Sequence, residues 1–112
     1  MKIENYIRDI QGFPKEGILF KDITPLLNDP IARTECLTIL LESLKGQKID
    51  KVVGAESRGF FFGMLLAQEL QAGFIPVRKP KKLPYEVISA SYQLEYGSDS
   101  LEMHTDASQK SE

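Results

Sequence analysis

Two short stretches carry residue types that could do chemistry together. The first, Glu56-Ser57-Arg58-Gly59, follows the apolar Val52 and Val53 and opens an apolar run from Phe60 to Leu70. A strand that ends in a polar turn and continues as a helix leaves the first helical amides unpaired, at the positive end of the helix dipole. Ser57 can cap such a helix, Arg58 can grip an oxyanion through two parallel hydrogen bonds, and Gly59 permits close backbone approach. The chemistry is anion binding, phosphate above all. The plain alternative is an ordinary strand–helix turn with a solvated arginine. The second stretch, Arg78-Lys79-Pro80-Lys81-Lys82, places four cations in a chain of net charge −2. It follows the next apolar strand, at the same sheet edge as Arg58, where open α/β sheets bind ligands. Alone, such a cluster reads as solvated surface. Beside the first turn, it supplies the second source of positive charge that a diphosphate or triphosphate needs.

The elements that must position these residues follow from periodicity. Residues 49–55 read as a strand and 58–70 as a helix ended by Gly73, with a second strand over 74–77. Strands joined in this way pair in parallel through a right-handed crossover. Pro76 removes a ladder hydrogen bond and leaves that strand's end open. Upstream, Ile3, Tyr6, Ile7 and Ile10 predict a short amphipathic helix over 1–10, broken by Gly12, Pro14 and Gly17. Residues 17–25 form an apolar loop or short strand. Its Ile18, Leu19 and Phe20 either pack on the core or wall a ligand pocket. Asn28-Asp29-Pro30 starts a helix to about residue 45, stopped by Gly46, that buries Ile31, Leu37, Leu40, Leu41 and Leu44. Residues 86–104 alternate apolar and polar, a hairpin turning at Gly97-Ser98-Asp99, with one polar face suited to an exposed flap. The polar end from Ala107 has nothing to bury.

Composition narrows the function classes. At 112 residues, 42% hydrophobic and 27% charged, the chain reads as one soluble globular domain. The net acidity argues against a nucleic-acid binder. Cys36 is the sole cysteine, so no internal disulfide forms, and its helical position suits a core residue better than a nucleophile. His104 is likewise alone, so no metal-ligand cluster is legible. No apolar run reaches membrane-spanning length and no signal peptide is recognisable, which implies a cytoplasmic protein with no membrane partner. There is no internal repeat, Walker glycine loop or GxGxxG.

Four stretches in order then carry a resemblance: Phe13-Pro-Lys-Glu-Gly-Ile-Leu-Phe-Lys-Asp-Ile23, Glu56-Ser-Arg-Gly-Phe-Phe-Phe-Gly63, Arg78-Lys-Pro-Lys-Lys-Leu-Pro84 and Ala90-Ser-Tyr-Gln-Leu-Glu-Tyr-Gly97. Together they resemble the type I phosphoribosyltransferase family, the last two its adenine-specific members rather than the hypoxanthine/guanine or orotate ones. The resemblance implies an α/β fold: a Rossmann-like parallel sheet with flanking helices and a β-hairpin flap, the sheet incomplete in this chain. Residues 1–112 then form one partial domain, with a purine-pocket segment over 1–27, a core over 28–107 bearing the flap at about 86–104, and a tail over 108–112.

The implied activity is transfer of ribosyl 5-phosphate from phosphoribosyl diphosphate to adenine, yielding AMP and diphosphate with Mg2+ carried on the substrate. Leu19, Phe20 and Lys21 would line the adenine pocket, Phe20 stacking on the ring. Glu56, Ser57, Arg58 and Gly59 would form the diphosphate loop, often with a cis peptide before the serine, and Arg78 and Lys82 would complete it. Glu95 and Tyr96 would close over the reacting centre, and the family habit implies a homodimer. The alternative is a non-catalytic purine- or nucleotide-binding or dimerisation module of the same descent. In one respect the chain departs from the family. Where the family carries two adjacent acidic residues and a Thr-Gly-Gly-Thr-like loop for the ribose and 5-phosphate, residues 106–112 read Asp-Ala-Ser-Gln-Lys-Ser-Glu. The expectation is therefore of an incomplete enzyme, inactive as these 112 residues.

Overall fold

The computed structural model describes residues 2–94 and 97–108. Its contacts divide the chain into two compact units, Met1–Lys45 and Gly46–Glu112.

The first unit opens with a single 3-10 turn, Ile3–Tyr6. The chain then extends as β1, Arg8–Gln11, antiparallel to β2, Leu19–Asp22, with Arg8 opposite Asp22 and Ile10 opposite Phe20. The helix expected over 1–10 does not form. A helix of ten residues is marginal on its own, and β2 offers the backbone groups of Arg8 to Gln11 a full set of partners. The segment left open as loop or strand resolves as β2. A short helix that the sequence did not signal, α1, Thr24–Asn28, follows. Asp22 anchors its start by accepting from the Thr24 amide at 2.9 Å and hydroxyl at 2.6 Å, and Leu26 is buried.

Helix α2, Pro30–Ser43, begins as its sequence predicts. Pro30 occupies the first turn, and the Asp29 carboxylate accepts from the amides of Ile31 and Ala32 at 3.0 and 2.9 Å. Its buried residue is Ala32. Ile31, expected inside, is 69% exposed, because neighbouring residues project about 100° apart around a helix. Leu37, Leu40, Leu41 and Leu44 are half-buried. So is Cys36, whose thiol pKa burial pushes upward, as befits a packing residue.

The second unit holds the βαβ element: β3, Lys51–Ala55, then α3, Arg58–Leu70, then β4, Gly73–Val77. The strands pair in parallel, Lys51 opposite Gly73 and Ala55 opposite Val77. Strand β4 runs through Pro76 without a break. The Gly73 amide donates to the Asp50 carbonyl and the Val77 carbonyl accepts from the Glu56 amide. Pro76 alternates with these residues, so its missing N–H falls on the edge away from β3. Helix α3 is capped by Gln71 in the left-handed region, with φ 55°, rather than by Gly73, which already begins β4. Ala67 and Ile75 form the core here, with Phe60 edge-on to Phe74 at 5.8 Å.

The hairpin consists of β5, Val87–Leu94, and β6, Gly97–His104. Register runs from Val87 opposite His104 to Leu94 opposite Gly97. Gly97, Ser98 and Asp99 therefore lie within β6 and are not the turn. Alternation sets which residues share a face, but it does not say where along the pattern the chain reverses. Among the described residues, no helix is long and apolar enough to cross a membrane.

Candidate functional site

Both predicted anion-binding stretches lie in the second unit, at the carboxyl ends of β3 and β4. The turn after β3 is set by close backbone contact. A Cβ on Gly54 would stand 2.6 Å from the Gly59 carbonyl oxygen, and one on Gly59 would stand 3.3 Å from the Gly54 backbone. Gly59, expected to admit a ligand, thus also seats the start of α3 on β3. The Glu56–Ser57 peptide is cis. Ser57 occupies the N-cap position, but its side chain makes no capping bond. The expected cap fails because Ser57 already has helical dihedrals (φ −102°, ψ −16°), whereas a capping hydroxyl needs an extended backbone to reach over the first amides. Ser57 and Arg58 are both exposed.

Glu56 joins this turn to the basic segment. One oxygen, Oε1, accepts from the Lys79 amide at 2.7 Å and from Arg78 Nε at 3.1 Å. The Lys79 amide first, then the Arg78 guanidinium and the more distant Lys82 charge, hold the Glu56 carboxyl below the usual carboxylate range. The Arg78 guanidinium also sits over the Phe60 ring, 5.8 Å from its centroid. This arrangement brings Glu56, Arg78 and the start of α3 together, and it places Lys82 within electrostatic reach of Glu56.

The hairpin contributes residues that the sequence reading passed over. Arg78 and Glu102 exchange backbone hydrogen bonds of 2.9 and 2.6 Å. The Glu102 carboxylate accepts from the Lys81 amide at 3.2 Å, and Lys79 Nζ lies 3.8 Å from Asp99. The available signal was the set of acidic residues on a strand following a basic run, but only the register brings them there. Glu95 and Tyr96, expected over the reacting centre, lie outside the described residues.

The expected purine-contacting residues belong to the first unit, on β2. Leu19 is 45% exposed. Phe20 is half-buried with Phe13 edge-on at 5.0 Å. Lys21 bonds Asp9 at 2.6 Å through its Nζ. Among the described residues, no group of three or more His, Cys, Asp or Glu could hold a metal ion.

No family model matches the chain. In sequence it is 86% identical over 110 residues to an adenine phosphoribosyltransferase of Flavobacterium johnsoniae, covering 98% of this chain and 65% of that protein. It is 56% identical over 112 residues to one of Christiangramia forsetii, covering all of this chain and 66% of the relative. The chain therefore spans about two thirds of the length of the curated relatives it matches. Among solved structures, the adenine phosphoribosyltransferase of Thermoanaerobacter pseudethanolicus superposes with a TM-score of 0.90 at 53% identity, over 94% of this chain and 61% of that one. That of Saccharomyces cerevisiae, complexed with an imino-altritol bisphosphate and adenine, gives 0.84 at 42% identity, over 95% and 62%.

Proposed function

The chain belongs to the adenine phosphoribosyltransferase family, and on that premise we propose that the protein transfers ribosyl 5-phosphate from phosphoribosyl diphosphate to adenine, forming AMP and diphosphate. The observation that carries the reading is the tie from Glu56 to Arg78 and Lys79, which gathers two cationic segments at one sheet edge. Breaking the anomeric C–O bond builds negative charge on the departing diphosphate. Arg58, Arg78, Lys82 and the amides of Ser57 and Gly59 stabilise that group more strongly as its charge develops. Mg2+ arrives with the substrate, since a hard divalent cation bound mainly through phosphate oxygens needs few protein ligands. Leu19, Phe20 and Lys21 hold adenine, with Phe20 against the ring. Glu95 assists proton exchange at the purine nitrogen, and Tyr96 closes with it to exclude water. A cytoplasmic homodimer completes the proposal, on the family resemblance alone.

Residues 1–112 contain no counterpart of the acidic pair and glycine loop that the resemblance assigns to the ribose and 5-phosphate. Positioning of the anomeric carbon accounts for much of the roughly 7–11 kcal/mol available from orientation, so these residues alone are expected to bind diphosphate without useful turnover. The test supplies the portion of the Flavobacterium johnsoniae protein that this chain does not span and follows AMP by a coupled assay with adenine, phosphoribosyl diphosphate and Mg2+. A soluble, folded hybrid that forms no AMP would overturn the proposal. Turnover by the 112 residues within tenfold of the hybrid would overturn the expectation of inactivity.

A further inference from the structure

Glu102 lies on the hairpin strand β6, and none of the expected site residues includes it. Its backbone exchanges two hydrogen bonds with Arg78, and its carboxylate accepts from the Lys81 amide. Lys81 has φ 69°, a left-handed backbone that non-glycine residues seldom adopt without a local partner. Glu56 also holds this segment, through the Lys79 amide and Arg78 Nε. The segment from Arg78 to Lys82 is therefore clasped between two carboxylates, one from the turn after β3 and one from the hairpin.

We propose that Glu102 is a positioning residue for anion binding, holding the cationic segment in its bound shape and coupling it to the hairpin. The proposal rests on the diphosphate reading above. On charge alone, a carboxylate beside an anion site is unfavourable, because like charges repel. Its presence is explained if preorganising the segment outweighs the repulsion, since side chains and loops already ordered need not be ordered on binding. Hairpin movement then acts on the cationic segment directly, through the paired backbones of Arg78 and Glu102.

The two contributions have opposite signs, which makes them separable. Inorganic diphosphate with Mg2+ is titrated calorimetrically into the parent chain, Glu102→Ala and Glu102→Gln, and amide hydrogen exchange is followed at Lys81. Alanine removes both charge and acceptor. It should weaken diphosphate binding about 3- to 10-fold, the range of one hydrogen bond to a charged group reduced by exposure, and should deprotect the Lys81 amide. Glutamine keeps an acceptor oxygen without the charge, and should bind diphosphate as tightly as the parent or more so, with Lys81 still protected. Tighter binding by Glu102→Ala would leave only the repulsion and overturn the proposal. Glutamine weakening binding threefold or more relative to the parent would overturn it too, even if the alanine variant failed to fold. A parent chain that binds no diphosphate would overturn the functional reading, and Lys81 exchange would still decide whether Glu102 holds the segment.

Discussion

Replacing Gly54 by alanine tests how the anion turn is built. The new Cβ would lie 2.6 Å from the Gly59 carbonyl oxygen and 2.9 Å from two atoms of the Phe74 ring. The ring could shift, but the carbonyl belongs to the backbone that starts α3, so relief requires the turn itself to move. Overpacking of this kind costs about 1–3 kcal/mol, and contact with backbone puts this case near the upper end. Alanine regains roughly 0.5–1 kcal/mol of the entropy that glycine loses in a strand. The net expectation is a loss of about 2 kcal/mol. Gly63→Ala is the internal control. The nearest atoms its Cβ would meet belong to the Phe74 ring, at 2.6 Å, and a helix interior returns about 1 kcal/mol on exchanging glycine for alanine, leaving a loss near 1 kcal/mol. Urea unfolding followed by circular dichroism measures both, the midpoint shifting at constant slope. Gly54→Ala should in addition weaken diphosphate binding, because the displaced turn carries Ser57 and Arg58, whereas Gly63→Ala should leave binding unchanged. If Gly54→Ala unfolds within about 0.5 kcal/mol of the parent, the ordinary scatter of harmless surface changes, the close approach of β3 and α3 is not what seats the turn.

Asp29→Ala removes an acceptor shared by two amides of α2 and should cost about 1–2 kcal/mol in the same unfolding assay, while Ser57→Ala, which removes no capping bond, should cost less than about 0.5 kcal/mol; equal losses would refute the assignment. The Glu56 carboxyl is held below its ordinary value by the Lys79 amide and Arg78, so its stabilising contribution is present above the unfolded glutamate value of about 4.3 and is lost as pH falls through the lower folded value. A carbon-detected NMR titration should find the Glu56 midpoint below that of a model glutamate, and a midpoint at or above it would remove the clasp from solution. Arg58→Ala should weaken diphosphate binding at least about tenfold, the worth of one charge-assisted hydrogen bond; unaltered affinity in the titration would take Arg58 out of the anion site.

Local patterning determined a good part of this protein. Asp29-Pro30 marks the start of α2 because a capping carboxylate and a proline act within one turn, whatever lies elsewhere. The apolar run from Phe60 to Leu70, bounded by a polar turn, was enough to place α3 and to predict a parallel pair around it. The four stretches carrying the family resemblance were likewise legible, since residue types at fixed spacing survive without knowledge of their neighbours. What escaped depended on partners far along the chain. Residues 8–11 become β1 rather than helix because β2 supplies their hydrogen bonds, and Gly97 to Asp99 enter β6 because the register continues past them. The serine at the head of α3 makes no capping bond because its backbone is already helical. The clasp on the basic segment is the clearest case. Glu56 and Glu102 are 22 and 24 residues from Arg78, and nothing in their immediate surroundings marks them as its holders. The parallel pairing of β3 with β4, and the bridge from Arg78 to Glu102 of β6, bring the two carboxylates to the same five residues. Such hydrogen bonds depend on distances of about 3 Å that only the packed backbone sets.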